Sequence, residues 1–230
     1  MTSACSRSVA LTGFLLLAIC PNGMSRADEK PQSAIAATSA IGVPDDGYRP
    51  LFDGTSTNGW EGDLTVFRIE DRAVVGGQLQ EKIPHNYFLS HGQEFADFEL
   101  RLQFKLLGDK TNAGIQIRSQ RIPDHHEMIG YQADLGGRYW GALYDESRRR
   151  KVLAGPDLEK LMPRLRKDGW NDYRIRCEGP RIRLWINGMP TVDYTETDKD
   201  IPLTGRIALQ IHGGPPGEAW YRNIRIKELK

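Results

Sequence analysis

The sequence predicts an all-β protein in which two antiparallel sheets pack as a sandwich. The clearest signal lies at residues 97–106, where every second residue is Phe or Leu and the residues between them are charged or amide side chains. Alternation with a period of two is typical of a strand that is buried on one face. Glycine turns follow at short intervals, and the only helical candidate, residues 156–165, is short. Many short strands, frequent turns and almost no helix favour two packed sheets over an α/β arrangement.

Further strands follow along the chain with the same alternation. Asn187-Gly188 separates two of them, and this dipeptide is typical of a tight hairpin turn because both residues tolerate positive φ angles. We therefore expect strands to fill most of the folded part of the chain. The remaining strand signals lie at residues 115–117, 182–186, 207–211 and 224–226.

The composition is that of a globular protein without a strong overall charge. Hydrophobic residues make up 39% of the chain, which is enough to bury a core and excludes an intrinsically disordered protein. The 31 basic and 30 acidic residues leave a formal net charge of +1. We therefore expect no nucleic-acid partner, because such a partner requires a basic surface.

Residues 1–27 have the pattern of a signal peptide. Arg7 precedes an apolar stretch at residues 9–20, and Ser25-Arg26-Ala27 places small residues where signal peptidase recognises them. We predict cleavage after Ala27, so the mature protein should be secreted or periplasmic.

No membrane span should remain after removal of the signal, because its apolar stretch is shorter than the roughly 20 residues of a spanning helix. A lipoprotein signal is the alternative, since Leu17-Ala18-Ile19-Cys20 resembles a lipobox. Ile19 argues against it, because the residue before a lipidated cysteine is normally small. We expect a flexible tether at residues 28–46, which are rich in Ser, Ala, Thr and Pro, and one folded domain at residues 47–230.

Two predicted strands carry outward polar side chains of a kind that binds sugars. In the first, the isoleucines should point into the core, so Asn112, Gln116 and Arg118 should emerge together on the opposite face. In the second, the same alternation leaves Gln210 and His212 facing outward. Amide, guanidinium and imidazole groups supply the hydrogen-bond partners that a neutral polyol needs.

A third polar segment places aromatic rings beside amides and carboxylates. Gln132 and Asp134 are followed closely by Trp140, Tyr144 and Asp145. The C–H faces of a sugar stack on aromatic rings while its hydroxyls need donors and acceptors, so this segment is also a candidate part of a sugar site. The alternative for the two aromatic residues is that they pack in the core or under a loop.

Several short motifs follow one another along the chain. They are Leu51-Phe52-Asp53-Gly54, Asn112-Ala113-Gly114-Ile115, Gly141-Ala142-Leu143-Tyr144, Trp170-Asn171-Asp172-Tyr173, Trp185-Ile186-Asn187-Gly188 and Gly205-Arg206-Ile207-Ala208. In their order and spacing they resemble the 3-keto-disaccharide hydrolase domain family, and the resemblance covers nearly all of the chain after the tether.

The resemblance implies a concanavalin A-like jelly roll, export from the cell, and hydrolysis of glycosides that are already oxidised at C3 of the sugar. A ketone at C3 acidifies the hydrogen on C2, so a base can remove it, the enolate can expel the C1 substituent, and water can then add. Such an enzyme needs a base, donors for the enolate oxygen and a sugar-shaped cleft. It does not need the paired carboxylates of ordinary glycosidases.

On that resemblance, His212 is the candidate base, because histidine is the side chain that titrates closest to neutral pH. Asp134 or Asp145 is the alternative base, with His212 as a donor. At residues 131–134 the chain departs from the common family pattern, in which many members carry Glu and then Gln, so the role of Asp134 stays open. The groups expected to hold the sugar are Asn112, Gln116, Arg118, Gln132, Trp140, Tyr144 and Gln210.

The sequence requires no cofactor and indicates no oligomeric state. His125-His126 is a possible metal site, but neighbouring residues of an extended segment point to opposite sides, so we expect no metal. The competing hypotheses are a non-catalytic carbohydrate-binding module of the same fold and a structural interaction domain, because one fold hosts many functions. A catalytic site should bring His212, Arg118 and an acidic group into one pocket.

Overall fold

The computed structural model describes residues 46–230. The predicted signal peptide, residues 1–27, and the predicted tether up to residue 45 lie outside the described residues. Within the described part, no helix has the length and apolar character needed to cross a bilayer.

Strands dominate the described part of the chain. A single helical segment is present where the sequence predicted one, formed by α1 (Leu158–Leu161) and a 3-10 turn (Met162–Arg164). Asp157 starts it, because its side chain accepts hydrogen bonds from two backbone N–H groups of the first turn. The strands are β1 (Arg49–Pro50), β2 (Trp60–Glu61), β3 (Phe67–Glu70), β4 (Ala73–Gln78), β5 (Tyr87–Phe95), β6 (Phe98–Leu107), β7 (Ala113–Arg121), β8 (Met128–Leu135), β9 (Leu143–Glu146), β10 (Lys151–Ala154), β11 (Asn171–Glu178), β12 (Arg181–Ile186), β13 (Met189–Thr195), β14 (Gly205–Ile211) and β15 (Gly217–Glu228).

The strands form two antiparallel sheets. The first sheet has the order β13-β12-β11-β6-β15-β4-β3, with β1 also paired to β15. The second sheet has the order β10-β9-β8-β7-β14-β5-β2. Strands that are neighbours in space are often distant in sequence, as where β14 lies between β7 and β5, and such crossing connections are typical of a jelly roll. The predicted all-β sandwich of jelly-roll type is confirmed.

One apolar core fills the space between the two sheets. Ile115 and Ile117 of β7 and Leu100 and Phe104 of β6 are fully buried. Each large apolar side chain removed from water contributes about 1.5–3 kcal/mol, so the core stabilises the sandwich. The polar residues that alternate with the core residues therefore lie on two outer faces, one on each side of the molecule.

A bulge in β7 interrupts the alternation after Ile117. Arg118 has a φ angle of +48°. The pairing between β7 and β14 shifts register at the same point, between Arg206 and Ala208. An extra residue in one strand turns the side chains near it away from the direction that alternation predicts. The side chain of Arg118 is thereby removed from the outer face.

Candidate functional site

A cleft of about 120 Å³ opens on the outer face of the second sheet. Strands β8 and β9 supply its floor, and residues next to the ends of β5, β7 and β14 supply its rim. The lining combines amides, carboxyl groups, one imidazole and two phenol rings, which are groups that bind sugar hydroxyls and stack on sugar rings. The lining residues are Asn86, Asn112, Gln132, Asp134, Tyr139, Tyr144, Glu146 and His212.

A chain of three hydrogen bonds runs beneath the cleft and ends on Asp134. Ser119 Oγ donates to Gln116 Oε1 at 2.6 Å, and Gln116 Nε2 donates to Gln132 Oε1 at 2.8 Å. Gln132 Nε2 then donates to Asp134 Oδ1 at 2.6 Å. Because each amide oxygen accepts from the preceding donor, both glutamine side chains have a fixed orientation.

Asp134 is a buried carboxyl group at the floor of the cleft. Burial raises its pKa well above the usual range, the hydrogen bond from Gln132 opposes this rise, and the negative charge of Glu146 adds to it. A buried carboxyl group with a raised pKa holds its proton at a higher pH than an exposed one. Since Oδ1 already accepts from Gln132, Asp134 can offer an O–H donor from its other oxygen.

Glu146 brings a second carboxyl group to the cleft. Burial raises its pKa, the negative charge of Glu127 adds to the rise, and the backbone N–H of Ser147 and the imidazole of His212 oppose it. Sequence reasoning missed Glu146, although a signal was present. Glu146 is two residues from Tyr144 in β9, so both side chains lie on the same face of the strand.

His212 presents one ring nitrogen to the cleft. Its Nδ1 lies 2.6 Å from the backbone oxygen of Gly213. A carbonyl oxygen can only accept a hydrogen bond, so Nδ1 carries the proton in the neutral ring and the lone pair lies on Nε2. The backbone N–H of His212 donates to the backbone oxygen of Asn112 at 3.0 Å, which ties the rim residues of β14 and β7 together.

Asn86 is a further cleft residue that sequence reasoning missed. Its Oδ1 accepts a hydrogen bond from the backbone N–H of Gly213 at 2.9 Å, and its Nδ2 donates to Glu127 Oε1 at 2.9 Å. It therefore connects the loop before β5 to the residue that follows His212. Only long-range contacts bring Asn86 to this place, so no local pattern in the sequence indicates it.

A second hollow of about 240 Å³ adjoins the cleft and shares Asn86 with it. Three rings stand beside this hollow, of which His85 and Tyr87 are stacked and His126 is tilted against His85. The ring centroids of His85 and Tyr87 are 4.2 Å apart, and those of His85 and His126 are 4.4 Å apart. Stacked rings offer a flat apolar surface to a ligand. We refer to this region, lined by His85, Tyr87 and His126, as the adjoining hollow.

The two histidine rings of the loop after β7 lie side by side rather than on opposite sides, because the chain bends at these residues instead of being extended. The rings of His125 and His126 stack at a centroid separation of 4.5 Å. Among residues 46–230, no group of three His, Cys, Asp or Glu side chains has the arrangement of a metal site.

The structure brings five of the predicted site residues together in the cleft. Two more, Gln116 and Gln210, lie on the same outer face of the second sheet but are buried beneath the cleft. Gln116 is fully buried and contacts Gln132 rather than the cleft, so the expectation that it touches the sugar is wrong. Gln210 is also fully buried, beside Gly114 of β7, and neither of its amide atoms has a hydrogen-bond partner among the described residues. The five residues in the cleft are Asn112, Gln132, Asp134, Tyr144 and His212.

Arg118 lies away from the cleft, so the prediction that it shares a pocket with His212 is wrong. Its guanidinium group donates to the backbone oxygens of Ala96 and Gly179 at 2.8 and 2.7 Å, and it pairs with Asp97 at 2.8 Å. Ala96 and Asp97 lie in the turn that connects β5 of the second sheet to β6 of the first, and Gly179 lies in the turn between β11 and β12. The bulge in β7 is the physical reason, because it turns Arg118 off the outer face.

Asp145 also lies away from the cleft, and its candidacy as the base is therefore corrected. It is fully buried on the face of β9 opposite to Tyr144. Its carboxylate pairs with Arg148 at 2.8 Å and with Arg149, and Arg149 in turn pairs with Glu196 at 2.6 Å. Both oxygens of Asp145 are thus committed to a structural ion-pair network.

Trp140 is the third predicted site residue outside the cleft. Its ring packs against the core, with its centroid 6.1 Å from that of Phe104. The alternative prediction, that Trp140 is an aromatic residue packed in the core or under a loop, agrees with this position. Tyr144 is different, because it lines the cleft and meets Tyr139 edge to face at 6.2 Å.

The chain matches the sequence model of one domain family and is similar to a named relative. The sequence model of a 3-keto-alpha-glucoside-1,2-lyase-like domain matches residues 47–227. A 3-keto-disaccharide hydrolase from Bacteroides thetaiotaomicron is 24% identical to this chain, over 81% of this chain and 80% of its own length.

Solved structures share the fold. A candidate glycosyl hydrolase from Parabacteroides distasonis superposes with a TM-score of 0.61 at 18% identity, covering 80% of this chain and 94% of that chain. A carbohydrate-binding module from Bacillus subtilis superposes with a TM-score of 0.53 at 13% identity, covering 79% of this chain and 96% of that chain. At such identities the likeness shows the fold alone, and both catalytic and binding proteins have it.

Proposed function

This chain belongs to the 3-keto-alpha-glucoside-1,2-lyase-like domain family, and on that premise we propose that it cleaves the glycosidic bond of sugars that carry a ketone at C3. The observation that supports the proposal is the meeting of His212, Asp134 and Glu146 in one cleft. Together they can supply a base, a donor for an oxyanion and an acid, which are the three groups that this reaction needs.

The first step is removal of the C2 proton by His212. The proton moves to Nε2, whose lone pair is available because Nδ1 donates to the backbone oxygen of Gly213. The electron pair of the C2–H bond becomes the C2–C3 double bond of an enolate, and negative charge develops on the oxygen at C3. A positioned base of this kind typically accelerates proton transfer by about 10²–10⁴-fold.

Asp134 is suited to stabilise the enolate oxygen. Its raised pKa favours the protonated form, so its free oxygen can donate a hydrogen bond to the developing charge. Gln132 holds the carboxyl group in place from the other side. Asn112 lines the same cleft, and its amide can bind a neighbouring hydroxyl.

Glu146 is suited to release the leaving group. The C1–O1 bond breaks as the enolate collapses, and a proton from the carboxyl group of Glu146 passes to O1. Water then adds to C1 of the unsaturated sugar and gives a proton to the Glu146 carboxylate. The proton that His212 took from C2 exchanges with solvent, and His212 then returns a solvent-derived proton to C2. Overall, one 3-keto glycoside and one water molecule give one 3-keto sugar and one alcohol.

The leaving group has a place in the adjoining hollow. The hollow shares Asn86 with the cleft, so a substituent on C1 of a sugar bound in the cleft can extend into it. The stacked rings of His85 and Tyr87 suit a second sugar ring or an aromatic group.

The test is incubation of the purified protein with 3-keto-trehalose in deuterated water. We expect release of free glucose, one deuterium at C2 of the keto sugar, and no turnover of unoxidised trehalose. His212→Gln should lower kcat at least 100-fold. His91→Gln is the matched control, because His91 lies on β5 beside Trp60, outside the cleft lining, and should leave kcat unchanged.

Other results would contradict the proposal. Cleavage without deuterium at C2 would exclude the elimination route, and equal kcat for His212→Gln and the unaltered protein would exclude His212 as the base. Saturable binding of keto sugars without turnover would instead identify a carbohydrate-binding module.

We also propose that the protein works outside the cytoplasm after cleavage at Ala27. The support is the signal-peptide pattern of residues 1–27. N-terminal sequencing of the protein recovered from its native host should find Asp28 as the first residue, and an intact N-terminus in the cytoplasmic fraction would refute export.

A further inference from the structure

A groove of about 480 Å³ crosses the outer face of the first sheet, on the side of the sandwich opposite to the cleft. It spans four adjacent strands in the order β12, β11, β6 and β15. Neighbouring strands lie about 4.8 Å apart, so the groove is about 14 Å wide from the first strand to the fourth. Its polar and aromatic lining includes Arg101, Gln103, Arg174, Trp185, Asn223 and Arg225.

The groove has an excess of positive charge. Three arginines line it against one carboxylate, Asp172, whose Oδ1 already accepts a hydrogen bond from Gln103 at 2.9 Å. Arg101 is held by the buried carboxylate of Glu99 at 2.8 Å. The other two arginines, Arg174 and Arg225, therefore provide most of the charge that is available to a ligand.

Arg174 and Arg225 have guanidinium groups with unused donors. The guanidinium carbon of Arg174 lies 3.8 Å from the ring centroid of Trp185, and its only ionic contact among residues 46–230 is a long one of 3.5 Å from Nε to Glu99. The Arg225 side chain forms no ion pair or hydrogen bond within residues 46–230, and its guanidinium carbon lies 5.5 Å from the ring centroid of Tyr48. Stacking fixes the plane of the Arg174 fork without occupying its terminal nitrogens.

Sugar-binding groups accompany these charges. The Trp185 ring borders the groove beside the guanidinium groups of Arg174 and Arg183, and the part of the ring that lines the groove adds apolar surface for the C–H groups of a sugar. Gln103 and Asn223 place amides next to it, and Asn223 Nδ2 donates to Gln103 Oε1 at 3.0 Å. Amides and a ring beside free guanidinium groups are suited to a sugar that carries a negative charge.

Two bulges border the groove. The pairing of β12 shifts register between Leu184 and Trp185, and that of β15 shifts between Arg222 and Arg225. Asn223 lies inside the second bulge and has a φ angle of +53°. Bulges re-aim side chains and are over-represented beside functional sites. Without them, strict alternation would give this part of the sheet a more regular outer surface.

From these observations we propose that the groove is a second ligand site, which binds an oligosaccharide bearing carboxylate groups. A guanidinium fork offers two parallel donors that pair with the two oxygens of a carboxylate. The width of the groove fits more than one sugar ring. This inference does not depend on the reaction in the cleft, because the two sites share no residue.

The test is titration of the full-length protein with tetragalacturonate, with maltotetraose as the neutral probe and a sulfated tetrasaccharide as the second anion. We expect saturable binding of tetragalacturonate that weakens at least 10-fold in Arg174→Gln and in Arg225→Gln. Added salt should weaken it as well. Arg181→Gln is the matched control, since Arg181 is exposed on β12 and its ion pair within residues 46–230 is with Asp193, outside the groove.

Several outcomes would overturn the proposal. These are no saturable binding of tetragalacturonate, equally tight binding of maltotetraose, or equal losses in Arg181→Gln and the two groove variants. A sulfated tetrasaccharide that binds as tightly as tetragalacturonate would refute the assignment to carboxylates. Unchanged thermal unfolding midpoints must accompany the losses, and His212→Gln should bind tetragalacturonate normally, which separates this site from the cleft.

Discussion

Gln132 Nε2 lies 2.6 Å from Oδ1 of Asp134, and this hydrogen bond is the last of three that begin at Ser119. It occupies one oxygen of the carboxyl group and leaves the other to face a ligand. Asp134 can therefore act either as a protonated donor or, if ionised, as a base. The two roles respond differently to the same substitution.

Asp134→Asn should retain most of the activity if Asp134 is a donor. The Oδ1 of asparagine still accepts from Gln132, and its Nδ2 can donate to the enolate oxygen as the protonated carboxyl does. Asp134→Leu should lower kcat by about 10²–10³-fold, because it removes an oxyanion donor. The measurement is kcat on 3-keto-trehalose, and an Asn variant as inactive as the Leu variant would show that Asp134 is the base.

The same Asn variant should change how stability depends on pH. Burial raises the pKa of Asp134 in the folded state, so the folded protein holds this proton at a pH where the unfolded chain has lost it. The stability associated with this group is therefore present below the unfolded pKa of about 3.8–3.9 and is lost as pH rises through the folded pKa. Asp134→Asn should gain stability relative to the unaltered protein at pH 8 and not at pH 4, as measured by urea unfolding.

Glu146→Gln should slow the reaction most for substrates whose leaving group must be protonated. With 3-keto-trehalose we expect a loss of about 10²-fold in kcat, because the alcohol leaves poorly without a proton. With a 4-nitrophenyl 3-keto-glucoside the loss should nearly vanish in the first-turnover release of nitrophenolate, since nitrophenolate leaves without protonation and before the hydration step that also uses Glu146. Equal losses on the two substrates would mean that Glu146 does not protonate the leaving group.

Gln116→Leu should weaken the hydrogen-bond chain that lies beneath the cleft. The substitution leaves Gln132 Oε1 without its donor, so we expect the free energy of unfolding to fall by about 1–3 kcal/mol. The kcat should fall about 10-fold as Gln132 and Asp134 lose their fixed orientation. Gln120→Leu on the same strand is the control, because Gln120 bonds only to the exposed Glu94 and should change neither quantity.

Asp145→Asn separates stability from catalysis. It removes one partner from a buried network with Arg148 and Arg149, which typically costs about 3–5 kcal/mol. The folded variant should keep its kcat, because Asp145 faces away from the cleft. Asp193→Asn breaks an exposed ion pair with Arg181 and should change the free energy of unfolding far less, because solvent screens exposed charges. A large fall in the kcat of folded Asp145→Asn would restore Asp145 as a catalytic candidate.

Alternation in the sequence was sufficient to predict the sandwich and one side of the cleft. It assigned Ile115 and Ile117 to the core and Gln116 to the opposite face, and both assignments hold. The alternation rule failed at Arg118, because the strand contains a bulge there that the local sequence does not indicate. At β9 the rule itself was adequate, since it places Tyr144 and Glu146 on one face and Asp145 on the other.

The rim of the cleft is harder to predict from the sequence. Asn86 and Glu127 come from separate loops, before β5 and before β8, and meet through one hydrogen bond of 2.9 Å. Loop positions depend on contacts between distant parts of the chain, so their local sequence contains no period that indicates them. The adjoining hollow depends on the same loops and was missed for the same reason.

Gly114 limits which substitutions the floor of the cleft can accept. A Cβ atom at this position would lie 2.6 Å from Cγ of Gln132, so even alanine would push that side chain aside. The displaced amide would release Asp134 and occupy part of the space that a ligand needs. Position 114 must therefore stay glycine for as long as Gln132 holds Asp134, and a directed-evolution library should leave this position fixed.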